Sequence, residues 1–409
     1  MTPQAFSYGT LGSNNLIYLP PYGLTQSLDY MLKLNPETLE ITHINLSVDS
    51  SCEKYTNGVL INDKIYFLPY NESRILIVDC NTDIVEYVDL GIEGKGKFNT
   101  MHVYNDKIIS LPYGTDTEFN YALVFDTVDK SVILKNIVCP INDRKKWHTT
   151  QLLNNKIIGM PRGERTTKPY FPYRIEFNCD TLEYELIDLS TLWTDIDDEL
   201  TISNKKYTTL ALANNKLFAP PYSENDNFDL LAIFNGSWRY THTNLTDTSR
   251  KYYAHTVASN GKIYFPPAGH DSNWSKMLII DSVTEEYKTI ELNIGKESKK
   301  YFAGVEKNNK LYYIPRGGCV CEPESSWKVD GDLAEVLVVN TVDDSFYTID
   351  ISEYFKDNTT IEKYNQCLLV DDKIFAFPYG ESDSFQTILV FDTVTEKVVS
   401  MIDLNVYQV

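Results

Sequence analysis

Apolar and polar positions along the chain recur as one ten-residue phrase. Residues 62–71 read NDKIYFLPYN and residues 105–114 read NDKIISLPYG. The phrase returns as NNKIIGMPRG (154–163), NNKLFAPPYS (214–223), NGKIYFPPAG (260–269), NNKLYYIPRG (308–317) and DDKIFAFPYG (371–380), with an early form, NNLIYLPPYG, at 14–23. A short apolar run precedes each copy. The Asn-Asp, Asn-Asn or Asn-Gly pair then predicts a tight hairpin turn, because these residues tolerate positive φ. The strand after it is apolar at nearly every position, which predicts burial on both faces. A variable loop leads to a third strand such as ILIVD (75–79), which ends in Asn or Asp at Asn35, Asp79, Asp126, Asn178, Asn235, Asp281, Asn340 and Asp392. Side chains there can bond the backbone of the next turn. A fourth strand such as IVEYVDL (84–90) closes the unit.

Each unit therefore predicts four antiparallel strands, A to D. The repeat anchors Leu16, Lys64, Lys107, Lys156, Lys216, Lys262, Lys310 and Lys373 are spaced like propeller blades. A B strand buried on both faces fits a sheet packed between neighbours, as in a ring of blades. The expectation is an all-β chain: one β-propeller domain over residues 1–409, of eight four-stranded antiparallel blades. A seven-blade ring with one divergent unit is the runner-up. The first A strand is expected near 6–11 and the last D strand near 397–404, so the ring would close by blade packing without an exchanged strand.

The phrase NGKIYFPPAG resembles the second strand of a kelch repeat. WHTT at 147–150 resembles the kelch segment leading into the first strand. The likeness to a kelch-type β-propeller covers nearly the whole chain. Where kelch repeats usually carry Gly-Gly, this chain has Pro-Tyr-Gly or Pro-Arg-Gly. The resemblance is one of architecture, and because kelch proteins include binding scaffolds, oxidases and epimerases, it carries over no functional residue.

Composition narrows the function classes. Twenty-nine tyrosines favour strands over helices. A net charge of −20 argues against a broad nucleic-acid or anionic-membrane surface. No apolar run reaches the roughly 18–20 residues that span a bilayer. The opening residues lack the features of a secretory signal, and seven scattered cysteines do not form a disulfide framework, so a reducing cytoplasm is the expected compartment. No cofactor and no metal are expected. Cys319 and Cys321 lack a second pair at zinc spacing and read as an ordinary loop.

Position-matched residues predict two rings on one propeller face. The end of strand B supplies Tyr22, Tyr70, Tyr113, Arg162, Tyr222, Ala268, Arg316 and Tyr379, each after a proline. The start of strand A supplies Tyr55, Phe98, Trp147, Tyr207, Tyr253, Tyr301 and Tyr364, with a lysine or arginine just before most of them. Two readings compete. The aromatics are packing and the lysines reach water along their stems; or the face is an aromatic-walled mouth with a cationic rim. Arg162 and Arg316 break the tyrosine pattern on the two blades with the longest loops. A guanidinium there suits a carboxylate or phosphate, with Arg165 assisting, unless it pairs with a neighbouring acid. Blade 6 loses the tyrosine and supplies His270 and Asp271, with His255 on its A strand. These are weak candidates for acid–base chemistry.

The reading with most support is a binding module for a protein, peptide or glycan, held by Tyr22, Tyr70, Tyr113, Tyr222, Tyr379, Trp147, Arg162 and Arg316. The alternative is an enzyme, a lyase, epimerase or hydrolase, acting on an anionic sugar or small metabolite. A purely structural subunit is the third reading.

Overall fold

The structure is a computed structural model that describes residues 6, 8–22, 28–48, 53–116, 118–163, 171–193, 206–222, 228–245, 251–268, 274–292, 294, 300–302, 304–316, 333–355, 363–379 and 385–407. Within them the chain is all-β, with eight four-stranded antiparallel sheets and three short 3-10 turns. In every sheet, or blade, four consecutive strands lie in the order A-B-C-D. No helix among the described residues is long and apolar enough to cross a membrane.

The local chemistry acts as the pattern predicts. In the A–B turns, Asn62, Asn105, Asn154, Asn214, Asn308 and Asp371 take left-handed φ of 48 to 56°. B strands such as Lys64–Pro69 and Lys373–Pro378 are buried at every position after the lysine. C strands such as Arg74–Asp79 are buried between their ends, while D strands such as Tyr184–Asp188 keep partial or full exposure throughout. The C-strand caps form as expected. Asp79 Oδ1 accepts from the N–H groups of Asn81 and Thr82, and Asp281, Asn178 and Asp392 repeat the arrangement. Asn235 departs from it. A shorter turn at Asn235-Gly236-Ser237 pairs Phe234 directly with Trp238, and Asn235 Nδ2 instead donates to Glu285.

The chain divides into two compact units. One holds residues 1–93 and 294–409, and the other residues 94–293. The first contains blades 1, 2, 7 and 8, and the second blades 3 to 6. In each unit the core lies between successive blades. Tyr18, Met31, Ile65, Phe67 and Leu76 pack together across blades 1 and 2. Leu210, Leu217, Met160 and Phe228 do so across blades 4 and 5. The first and last blades share a core as well: Phe6, Ile17 and Leu32 pack with Phe375, Phe377 and Val390. The first A strand is only Thr10–Leu11, and the last D strand is Lys397–Asp403. Among the described residues no strand is exchanged between these two blades, as the sequence suggested.

Within each unit, polar side chains at the A strands join neighbouring blades. Thr149 Oγ1 donates to Thr208 O at 2.8 Å, Thr208 Oγ1 to Tyr252 O at 2.9 Å, and Gln151 Nε2 to Leu210 O at 2.8 Å. In the other unit Gly58 N donates to Thr10 Oγ1 at 3.0 Å and Gly9 N to Gln366 Oε1 at 2.9 Å. These bonds satisfy backbone groups that would otherwise be enclosed without partners.

Candidate functional site

Where strand B ends, its last residue turns back onto the segment that opens strand A of the same blade. The N–H groups of Tyr70, Tyr113, Arg162, Tyr222, Ala268, Arg316 and Tyr379 donate to the carbonyls of Lys54, Lys97, Lys146, Lys206, Lys251, Lys300 and Lys363. The lysine N–H in turn reaches the neighbouring blade: Lys54 N donates to Tyr22 O, Lys146 N to Tyr113 O, Lys251 N to Tyr222 O and Lys363 N to Arg316 O. The end-of-B and start-of-A positions are therefore hydrogen-bonded into a layer between blades 1 and 2, between blades 7 and 8, and, with Tyr207 N donating to Pro161 O, along blades 3 to 6.

The lysines of that layer contradict both sequence readings. Lys54, Lys97, Lys146, Lys206, Lys251, Lys300 and Lys363 are at most 1% exposed, so they neither rim a mouth nor reach water. The ammonium groups of Lys146, Lys206, Lys251 and Lys363 lie by aromatic rings or backbone carbonyls. Lys146 Nζ donates to Phe119 O at 3.1 Å, and Lys206 Nζ lies 4.9 Å from the Phe228 ring centroid. Lys363 Nζ lies 5.2 Å from the Phe355 centroid. Burial pushes the Lys146 ammonium below the ordinary lysine range, with Cys139 and Asp143 opposing the shift. A second correction concerns blade 6. The residue after its buried lysine is Tyr252, which is fully enclosed, and Tyr253 lies one step further and is only half-buried.

In the unit of blades 1, 2, 7 and 8, the structure gathers Tyr22, Tyr70, Tyr379 and Arg316. The Arg316 guanidinium carbon stands 5.0 Å from the Phe302 centroid and 4.6 Å from the Tyr379 centroid. Tyr22 packs edge-on against Tyr8 at 5.4 Å and lies 6.2 Å from Tyr70. Its hydroxyl donates to Glu53 Oε1 at 2.9 Å. Burial, with Tyr8 and Tyr379 close by, raises the Tyr22 phenol well above its usual range. Phe302, Tyr379 and Tyr8 keep partial exposure, whereas Tyr22, Tyr70 and Arg316 are buried.

In the unit of blades 3 to 6, Tyr113 and Tyr222 flank a histidine that the expected site did not include. Tyr113 packs edge-on against His148 at 5.7 Å, His148 against Tyr253 at 4.9 Å, and Tyr253 against Tyr222 at 5.7 Å. Tyr253 Oη is 2.7 Å from His148 Nε2, and His148 Nδ1 is 2.9 Å from Thr208 O. Arg162 is buried, and its backbone borders the segment that carries His148. Its N–H bonds Lys146 O, and the preceding Pro161 carbonyl accepts from Tyr207 N. Arg162 thus stands between the segments that carry His148 and Thr208. Trp147 is enclosed, its indole N–H donating to Tyr173 O at 2.8 Å. His255 is held by Thr209, with Nδ1 2.6 Å from the hydroxyl, and burial lowers its pKa to about 4. Arg165, His270, Asp271, Cys319 and Cys321 lie outside the described residues, as do the insertions at 164–170 and 317–332.

One signal for the missed group was present. The residue after each start-of-A aromatic reads Thr56, Asn99, His148, Thr208, Tyr253, Phe302 and Asn365. Aligned by repeat, that column places His148 and Tyr253 on either side of a small Thr208, short enough for the two rings to meet over it.

The chain is similar to a computationally designed protein, Ika8, at 9% identity and a TM-score of 0.58, covering 95% of this chain and 100% of that one. It is also similar to apo AztD from Citrobacter koseri, at 9% identity and a TM-score of 0.55, covering 93% and 92% of the two chains. A further structure of Citrobacter koseri AztD gives 9% identity, a TM-score of 0.53, and 92% coverage of each chain. Likenesses at this identity show the fold alone, and the fold is a β-propeller of eight four-stranded blades. No family model and no curated protein matches the sequence.

Proposed function

We propose that this propeller is a binding module that takes a protein, peptide or glycan through its tyrosine- and arginine-bearing layer. The observation that carries the reading is Arg316, its guanidinium carbon over the rings of both Phe302 and Tyr379, with Tyr22, Tyr8 and Tyr70 continuing the aromatic group. Stacking fixes the planar guanidinium before a ligand arrives, which lowers the ordering cost of binding. The half-exposed rings of Phe302, Tyr379 and Tyr8 offer faces for a sugar ring or a peptide side chain. The reading treats the repeats as kelch-like scaffolding and makes the ligand a matter of the layer's side chains. It includes neither nucleic acid nor a membrane, in keeping with the net charge of −20.

A thermal-shift panel of sugar acids, sugar phosphates, neutral glycans and short peptides tests it. A ligand at 100 times its Kd stabilises by about 2.7 kcal/mol. The expected result is a hit that Arg316→Ala weakens at least about tenfold, through loss of an arginine contact. A hit unaffected by both Arg316→Ala and Tyr379→Ala would remove this layer from the binding surface. With no small-ligand hit, pull-down with wild type and Arg316→Ala is the next comparison, and equal capture by both would reject the reading.

A further inference from the structure

His148 and Tyr253 come from blades 4 and 6, 105 residues apart, and meet in a hydrogen bond of 2.7 Å. Thr208 O can only accept, so the 2.9 Å contact makes His148 Nδ1 a donor. In the neutral imidazole Nε2 then carries the lone pair, and the Tyr253 phenol donates to it. Thr149 Oγ1, 3.3 Å from Nδ1 and itself bonded to Thr208 O, helps hold the ring, and Asn99 Nδ2 holds the His148 carbonyl. A hydroxyl on a base that a third group orients is the arrangement of an activated nucleophile or general base. Both residues are half-buried, so the pair reaches solvent.

The surroundings indicate what would approach. Arg144 and Lys145, which keep full and partial exposure, precede Trp147-His148 in the chain, and the Arg162 backbone lies between the His148 and Thr208 segments, with Asp143 a buried carboxylate on the same stretch as the two basic residues. This is a cationic spot in a chain of net charge −20. Tyr113 and Tyr222 stand on either side of the pair.

We propose that Tyr253 and His148 are a catalytic acid–base pair acting on a carboxylate-bearing ligand. The phenol O–H bond breaks and its proton passes to Nε2. The phenolate oxygen then takes a proton from the ligand, whose bonding electrons stay on the ligand. Thr208 O holds the resulting imidazolium at Nδ1. The proposal goes beyond the binding reading and does not use Arg316 or its aromatic neighbours.

Its test needs no substrate. Benzenesulfonyl fluoride and its 4-carboxy derivative transfer a sulfonyl group to an activated phenol. The O–S bond forms, the S–F bond breaks, fluoride leaves, and the phenol proton goes to His148. Peptide mass spectrometry would follow labelling of Tyr253 against the exposed Tyr121 and Tyr347. Tyr253 should label at least about tenfold faster than either, as a positioned base requires. That advantage should vanish in His148→Asn, and the anionic reagent should outpace the neutral one. Wild-type Tyr253 labelling no faster than Tyr121 would overturn the pair, without reliance on any variant's folding. An unchanged rate in a folded His148→Asn would also overturn it. Equal rates for the two reagents would overturn the carboxylate preference.

Discussion

At the scale of single residues, burial of ionisable groups sets the pH response. His102 and His255 are held neutral in the native state, with pKa values lowered to about 4 by burial. Unfolded histidines take up protons near their ordinary 6.5. Between those values the unfolded chain binds more protons, so stability is present above about pH 6.5 and is lost as pH falls towards 4. Both residues keep some solvent contact, so the loss is about 1–3 kcal/mol each. Urea unfolding between pH 7 and 4 should show it, and His255→Gln should flatten the curve. Lys146 acts in the opposite range. Its ammonium is disfavoured by burial, so stability should rise as pH climbs from its lowered pKa towards 10.5. Lys146→Met leaves Phe119 O without its 3.1 Å donor and should cost about 1–3 kcal/mol in equilibrium unfolding. The lysines also mark how far the sequence could be read. Their recurrence before an aromatic was plain, but they precede strand A in an irregular stretch where strand alternation assigns no face. The Tyr252-Tyr253 doublet offered two registers, and only the backbone bonds of Lys251 choose between them.

At the scale of elements the sequence was far more legible. Asn-bearing turns, doubly buried B strands and capped C strands all follow from local chemistry, so eight sheets were predictable without a relative. Asn235 was misjudged because its cap depends on turn length, and the turn there is shorter than in its counterparts. The Tyr253–His148 contact joins two blades across a third, so neither blade carries its signature alone; only the column aligned across repeats shows it, in the register that the Lys251 backbone bonds fix. Element-scale cost follows from the shared cores. Phe67 is fully enclosed between blades 1 and 2, so Phe67→Ala should cost about 3–5 kcal/mol. Val103→Ala, at a partly exposed A strand, should change stability by no more than about 0.5 kcal/mol. Paired denaturation curves would check the contrast, and equal losses would show that the blade cores do not dominate stability.

Across the whole molecule, the same four-strand unit is written eight times and each copy pairs only with itself. The first and last blades add an interface without strand pairing, made of packed side chains and bonds such as Gly9 N to Gln366 Oε1. Gly9 is fitted to it: a Cβ there would come within 2.4 Å of the Phe377 ring. Gly9→Ala should therefore cost about 1–3 kcal/mol through overpacking, read as a fall in Tm.

That interface has a kinetic meaning. Strand pairing brings together residues close in sequence, so each blade can form early and at small entropic cost. The bond from Gly9 N to Gln366 Oε1 instead spans 357 residues. The entropy of closing so long a loop must be overcome before any contact there is rewarded. Joining of the first and last blades should thus be a late event in folding and an early one in unfolding. In native-state hydrogen exchange, the amides of Thr10 and Leu11 should open well before those of Ile65, Tyr66 and Phe67 in the strand Lys64–Pro69.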